Sequence, residues 1–431
     1  MHAKTGSPST SVASVKSTIE GQVRAALSRI AERDTTVRAW THVDAATALA
    51  RARALDALPI TACGPLHGIK VGVKDVIAVA NMPLTHNSPL FTGQVASHDA
   101  PCVETLRAAG AVILGKTDTT EFAAAGRNAV TANPHNPERT PGGSSAGSAA
   151  AVADRHVDLA LATQTGGSTI RPASFCGVHG FKPSWGLVSR EDVKFYANSF
   201  DTVGWHTRSL ALIDRVCSVY GFAQAGPVPD TGDLRLGWFR TPWWDTMSAD
   251  GQAALEGILA KLGEAGIAIE VIDRLPDFEH LNDDHRAILF REGAAAFRNL
   301  AQARGELLHP DFHLRAGSLD QFDDARLRQA RDRAALAMLA YEKAIAGLDG
   351  VLAPSAPGVA PIGRSPGDPL FNQPWTLLQA PVLNLPLARG EGGMPIGISL
   401  TGPRYADRRL VAVAQRLEDS LASRGIFPTD A

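Results

Sequence analysis

Cysteine is scarce in this chain: four among 431 residues, Cys63, Cys102, Cys176 and Cys217, far apart and without a C-x-x-C pair. That distribution offers neither the framework of a disulfide-stapled secreted domain nor the paired thiolates of a zinc site. Reduced thiols in a cytoplasmic protein are the expectation. An excess of charge of one sign is missing too. Lysine plus arginine number 42 against 44 acidic residues, a formal net charge of −2. The broad basic field that a nucleic acid or an anionic membrane attracts is therefore absent. No apolar run reaches membrane-spanning length, and residues 1–15, rich in Ser, Thr and Ala, lack the apolar centre of a signal peptide. Histidines such as His67, His135 and His179 are scattered with no H-x-x-H cluster, so no metal is assigned. These absences leave a small molecule as the expected partner.

What is present is a long chain, able to bury a large core. Val23, Leu27 and Ile30 follow Ile19 at helical spacing, and an Ala-rich helix is expected over residues 45–55 with Asp44 as its N-cap. Residues 1–60 thus read as a helical lead-in. After the break at Gly64-Pro65, Ile69, Val71 and Val73 alternate with Lys70, Gly72 and Lys74 in the period of a strand. Lys74 and Lys70 then share the face opposite the valines. Further along, 105–109 reads as a helix stopped by Gly110, 111–114 as a buried strand, 148–153 as a small-residue helix and 157–162 as a strand. From about 221 to 350 the texture turns charged and helical, with a strand at 234–239 and a helix over 324–345. This segment is expected to be an elaboration on the core, not a separate domain. Strands at 382–387 and 395–400 and a helix over 408–421 close the chain. Helices and strands alternate, which predicts a largely covered sheet.

Two runs of small residues draw attention as chemistry. Gly142 and Gly147 have the G-x-x-x-x-G spacing of a phosphate loop, but Ser148 stands where the essential lysine belongs. The run 143–147 also fits G-x-S-x-G with Ser145 at its centre. That elbow requires a strand directly before it, and the preceding Asn-Pro-Glu-Arg-Thr-Pro makes a loop. The third reading joins this run to 163–172, Thr-Gln-Thr-Gly-Gly-Ser-Thr-Ile-Arg-Pro. Its consecutive glycines let several N–H groups converge on one point, as an oxyanion hole requires.

At this point the sequence resembles the amidase signature family. The family spaces two serines 24 residues apart, one in a Gly-Gly-Ser-Ser loop and one after Gly-Gly, and Ser144 and Ser168 have that spacing. Its lysine, in a Gly-Pro-Leu-x-Gly-x-x-x-x-x-Lys-Asp setting, is supplied by residues 64–75. Lys116-Thr117 with Glu121-Phe122, the Lys182-Pro183-Ser184-x-Gly186 turn, Asp201-Thr202-Val203-Gly204, Ala353-Pro354 and Met394-Pro395-Ile396-Gly397 are similar to further landmarks. The likeness covers about 45–221 and 350–421.

The resemblance implies an α/β fold, a mixed twisted sheet covered by helices on both faces, as a single domain over 61–431 with a helical insertion at about 221–350. It implies an amide hydrolase without a cofactor. Ser168 attacks, Ser144 relays its proton, and Lys74 is the base. Backbone N–H groups of Thr165, Gly166, Gly167 and Ser168 hold the oxyanion, Ser145 and Thr163 brace the relay, and the Gly143–Ser144 peptide is cis. A lysine serves as base only when uncharged, which burial favours and an inward-pointing Lys70 would reinforce. The expected partner is a small amide that acylates Ser168 and releases ammonia or an amine, with a homodimer left open as an assembly.

Two departures bear on substrate: Gln164 replaces a usual acid, and the arginine is displaced to Arg171, a pattern similar to the malonamidase branch. Arg171 then either grips a substrate carboxylate through two parallel hydrogen bonds or holds its own loop. Each residue alone has a plainer fate: Ser168 a loop serine, Lys74 a solvated strand end, Lys116 and Lys182 structural, Asp201 and Asn384 partners of loop backbone. Two other functions stand beside hydrolysis, that of an amidotransferase component working in a multi-subunit complex and that of a non-catalytic binder of small ligands.

Overall fold

Alternate residues of the strands feed two different cores, and that alternation organises the molecule. The computed structural model describes residues 18–319 and 321–425; the signal-peptide reading of 1–15 lies outside the described residues. Eleven strands form one sheet: β1 (Trp40–Val43), β2 (Lys70–Lys74), β3 (Val112–Thr117), β4 (Leu159–Gln164), β5 (His179–Lys182), β6 (Thr202–Thr207), β7 (Arg235–Trp238), β8 (Ala268–Val271), β9 (Gly350–Pro354), β10 (Val382–Arg389) and β11 (Pro395–Thr401). Their spatial order is β1-β3-β2-β4-β6-β5-β10-β11-β9-β7-β8. β2 is parallel to β3 and β4, and β7 is parallel to β8 and β9. The remaining pairs are antiparallel, so the sheet is mixed, as expected.

On one face Val71, Val73, Ile113, Leu159, Leu161 and Leu383 pack with residues of the helices Pro101–Ala108, Leu210–Val219 and Asp407–Ser423. Their neighbours Val112, Leu114 and Ala160 point the other way, onto Val23, Ile30, Ala52 and the alanines of helix Ala146–Ala153. Farther along that second face Val351 and Val382 meet Ile288 and Ala334, from the helices Leu281–Arg304 and Asp324–Ala344. A side-chain period of two sends successive residues to opposite faces, so helices cover both. The second lead-in helix begins at the cap read for it, Asp44 accepting from the Thr47 N–H, and the first is capped by Thr18, which accepts from the Gly21 N–H. No helix among the described residues is long and apolar enough to cross a membrane.

In the middle segment the strand expected at 234–239 is present as β7, and a second strand, β8, was not expected. The two carry the sheet outward past β9. β8 is short and sits at the edge with Val271 60% exposed, so it shows no alternation for a sequence pattern to register. Buried Asp284 ties the segment together, pairing with Arg326 at 2.8 Å and Arg333 at 2.9 Å across its two long helices. One close approach fixes the other end of the sheet. β1 crosses β3 so tightly at Gly115 that a side-chain carbon there would collide with the His42 carbonyl. Gly115→Ala is therefore expected to cost about 1–3 kcal/mol, as overpacking does, read as a lower thermal midpoint. An unchanged midpoint would mean that β1 can move aside freely.

Candidate active site

Lys74 is the last residue of β2, bonded to a parallel strand on each side, and Thr163 lies near the end of neighbouring β4. The carboxyl ends of parallel strands are where open α/β sheets place their ligands. The Lys74 side chain is wholly buried. Its Nζ lies 2.7 Å from Ser144 Oγ, 2.8 Å from Ser145 Oγ and 2.8 Å from Thr163 Oγ1. All three contacts are hydroxyls. Burial without a carboxylate in contact holds the amine well below its usual pKa, and the more distant Asp201 opposes that shift. Lys70 adds no repulsion, because it turns away to pair with Asp158 at 2.7 Å.

The serines are held by the turn into helix Ala146–Ala153, and the Gly143–Ser144 peptide is cis. Ser145 Oγ donates to the Thr163 carbonyl at 3.2 Å and accepts from the Thr163 N–H at 3.3 Å, which locks loop to strand. The Ser145 N–H donates to the Ser168 carbonyl at 3.3 Å. Lys74, Ser144, Ser145 and Thr163 thus touch directly, whereas Ser168 joins them through its main chain. No hydrogen bond ties the Ser168 hydroxyl to Ser144 or to any other described side chain; Ser168 keeps 8% exposure and borders a cavity of about 250 Å³.

The loop 165–168 is oriented by its carbonyls. Thr165 O accepts from His285 Nε2 at 2.8 Å, Gly166 O from Thr376 Oγ1 at 2.7 Å, and Gly167 O from the Arg171 N–H at 3.0 Å. In a planar trans peptide the following N–H points opposite to its carbonyl. The N–H groups of Gly166, Gly167 and Ser168 are therefore turned away from these partners, and none is donated to a described acceptor. Thr165 in addition gives its hydroxyl to Asp201 Oδ1 at 2.6 Å. Side-chain room is excluded at Gly167, where an added carbon would strike Asn372.

His285 and Thr376 escaped the sequence reading. Both act on main-chain oxygens more than a hundred residues away, and His285 lies in the segment outside the family likeness. Burial pushes the His285 pKa down to about 4, and the ring stacks on Phe200 with centroids 4.3 Å apart. The imidazole is thus neutral with its proton on Nε2, and the buried Nδ1 carries the lone pair.

Two sequence expectations change here. Gln164 does not face substrate: it is fully buried, accepts from the N–H groups of Thr169 and Ile170 at 2.9 and 3.1 Å, and donates to Thr376 at 3.0 Å. Arg171 borders the cavity, yet Nε donates to the Pro366 carbonyl at 2.5 Å and a terminal nitrogen to the Gly143 carbonyl at 2.6 Å. Its remaining terminal nitrogen is buried and unpartnered. Two parallel bonds to a substrate carboxylate are not open to it while those carbonyls hold it. Asp201 takes the N–H groups of Tyr196 and Ala197 at 2.7 and 3.1 Å, the loop role read for it, while burial pushes its carboxyl up to about 6. Asn384 bonds the Val178 carbonyl, and Lys116 pairs with Asp75 at 2.8 Å, both structural.

The family model described as Amidase matches residues 22–411. The chain belongs to the amidase family. It is 32% identical to a glutamyl-tRNA(Gln) amidotransferase subunit from Oleidesulfovibrio alaskensis, with 94% of each chain covered. Among solved structures it is similar to a crystal structure of an amidase, with 28% identity, a TM-score of 0.84 and coverage of 93% of this chain and 96% of that one. It is also similar to a chain of a vestigial protein complex that reveals the origins of an s-triazine catabolic enzyme. There the identity is 26%, the TM-score 0.85 and the coverage 97% and 98%. Amidase-family membership makes this an enzyme acting on carbon–nitrogen bonds.

The amine of Lys74 becomes an ammonium as pH falls, and if it accepts a proton in the reaction, activity of this amidase-family enzyme should decline with it. Asp201→Asn removes the negative charge that favours the ammonium, so the acid limb of kcat/KM should move to lower pH. An unmoved limb would disconnect Asp201 from the titrating base. His285→Ala is expected to lower kcat by roughly 10- to 100-fold with KM little changed, less than the 10²–10³ typical of deleting an oxyanion donor outright. A loss confined to KM would assign His285 to binding instead.

Proposed function

We propose that the chain is an amide hydrolase in which Ser168 is the nucleophile, Ser144 the relay and Lys74 the base. The observation that carries this reading is the amine of Lys74, buried among three hydroxyls with no counter-ion in contact. A neutral amine has two hydrogens and one lone pair. Two hydroxyls can accept from it, which leaves the lone pair for the Ser144 proton. Catalytic contacts in unliganded sites tighten when substrate binds, and the relay needs Ser168 to turn onto Ser144.

The Ser168 proton then passes to Ser144 Oγ as the Ser144 proton passes to Lys74 Nζ, while Ser168 Oγ bonds the amide carbon. The carbonyl oxygen becomes an anion facing the N–H groups of Gly166, Gly167 and Ser168. Returning the proton along the same path to the substrate nitrogen lets the carbon–nitrogen bond break, and ammonia or an amine departs. Water attacks the acyl-enzyme in the same manner, giving its proton to Lys74 through Ser144. Ser168 recovers a proton as the acid leaves.

Cavity size supports a small substrate, since 250 Å³ is about eight waters at ~30 Å³ each. Arginines 171, 286 and 315 border the cavity and no aspartate or glutamate does. That wall suits an anionic amide, in keeping with the malonamidase-like pattern of residues 163–172. Work within a multi-subunit amidotransferase is the second reading, favoured by the names of the curated relatives.

Incubating the purified chain alone with small amides, and following ammonia and acid release, tests the proposal directly. A fluorophosphonate should label the wild type once, at Ser168, and Ser168→Ala should lose both label and turnover, by about 10³-fold or more. Its stability should stay within roughly 0.5 kcal/mol, because the lost hydroxyl makes no hydrogen bond. Turnover that appears only with added partner proteins would favour the amidotransferase, and full turnover in Lys74→Met would remove the lysine base.

A further inference from the structure

The arginines of the cavity wall differ in what already holds them. Arg171 is committed to the two carbonyls that fix its loop. Arg315, at the end of helix Pro310–Ala316, donates to the Tyr196 hydroxyl and lies against two aromatic faces, 5.3 Å from the Tyr196 ring centre and 5.1 Å from that of Phe290. Its Nε–H is buried without an acceptor. Arg286, one turn before Phe290 on helix Leu281–Arg304, sits over the same Phe290 ring at 5.4 Å. One phenyl ring therefore holds two guanidinium groups at the cavity.

No acid compensates them. Of the acids on the helix of Arg286, Asp284 and Glu292 are taken by Arg326 and Arg331 and exposed Asp283 makes no ion pair among the described residues, while Asp324 is taken by Arg291. Asp311, on the helix of Arg315, is turned to the Gly126 N–H and His309. Neither Arg286 nor Arg315 has an ion-pair partner among the described residues, while arginines around them do. Contacts with aromatic faces orient a guanidinium but supply no counter-ion; exposed Arg286 is solvated by water, whereas half-buried Arg315 is not fully so. A buried N–H without an acceptor on a cation beside a cavity points to a missing anion. The planar fork fits a carboxylate best.

We propose that Arg315 and Arg286 form the subsite that recognises a carboxylate on the substrate, at the part remote from the scissile carbonyl, so that the middle segment sets specificity for acidic amides. The inference rests on the hydrolytic reading and replaces Arg171 with this pair as the direct carboxylate partners. Arg171 then contributes positive potential to the wall and rigidity to the nucleophile loop.

The test has one arm without turnover and one with it. In the first, full-length Ser168→Ala chain is titrated calorimetrically with malonamate, succinamate and glutaramate, and with the neutral amides propionamide, butyramide and valeramide. At least one anionic amide should bind roughly 30-fold or more tightly than its neutral partner, and Arg315→Leu or Arg286→Leu in the same background should erase the preference. Arg315→Lys, which keeps the charge and the packing stem but not the fork, should retain only part of it and covers the case in which the leucine variant does not fold. Equal binding of anionic and neutral amides, or a preference untouched by both arginine changes, overturns the proposal. In the second arm, kcat/KM of the single arginine variants should fall for the acidic amide and change less than about threefold for the neutral one. An equal loss on both overturns it as well. Selective, arginine-dependent binding by a chain that hydrolyses none of the amides would leave the subsite standing and remove the hydrolytic reading.

Discussion

A lysine amine buried without a carboxylate is the constraint around which this structure is arranged. The contrast stands one strand away. Lys116 on β3 is equally buried, but it pairs with Asp75 at 2.8 Å, so its charge is balanced even though burial lowers its pKa. Asp75 follows Lys74 directly in sequence and is the obvious counter-ion for it. It goes to Lys116 instead, because consecutive residues at a strand end point to opposite sides. Lys74 is left with hydroxyls, which solvate an amine but do not hold it as an ammonium. The same dipeptide thus supplies a structural ion pair on one side of the sheet and an uncompensated amine on the other.

Such an amine accepts a proton in a useful direction only if its neighbours cannot drift. The fold meets that need by fixing main-chain oxygens. Carbonyls of residues 165–168 are held in turn by His285, Thr376, the Arg171 N–H and the Ser145 N–H. Because the peptide is planar, each bond to an oxygen also aims the next N–H. The direction of the Gly166, Gly167 and Ser168 N–H groups, proposed to meet the oxyanion, is consequently set by groups that never touch them. Gln164 completes the arrangement from beneath: its side-chain oxygen takes two N–H groups of the following helix while its amide donates to Thr376. An ionised acid at that position could accept but not donate, so the unusual glutamine and Thr376 belong together.

These interactions also explain what was legible in the sequence. Lys74, Ser144 and Ser168 announced themselves because their chemistry demands particular residue types at fixed intervals, in short runs of glycine and serine. The helices and central strands were readable for a related reason: the spacing of Ile19, Val23 and Ile30, the cap at Asp44 and the alternation at Val71 and Val73 are local patterns. β8 was not, since an exposed edge strand of four residues obeys no apolar rhythm. His285 was hidden because any donor of the right length could serve a distant carbonyl, so no spacing marks it. Gln164 and Arg171 were noticed as departures, Arg171 with a substrate carboxylate and its own loop as alternatives, and the structure uses Gln164 and two of the three Arg171 nitrogens inside the protein. Residue identity shows that a polar group is available; only the packing shows what has already claimed it.

The same matching of charges to partners joins the selecting half of the cavity to the reacting half. Asp201, buried near the site, favours the ammonium form of Lys74 through its negative charge. On the proposed reading, a substrate carboxylate brought unpaired into so small a space would push in the same direction and suppress the base. Guanidinium groups that neutralise that carboxylate remove the conflict, because the charge the substrate brings is balanced where it binds and little of its field is left to act on the amine. Arginine suits this task better than lysine, since it keeps its charge when partly buried and presents two parallel donors. Under the proposed function, arginines without an ion-pair partner and an amine without a counter-ion are then two consequences of one requirement, that an anionic substrate be admitted without protonating the proposed base.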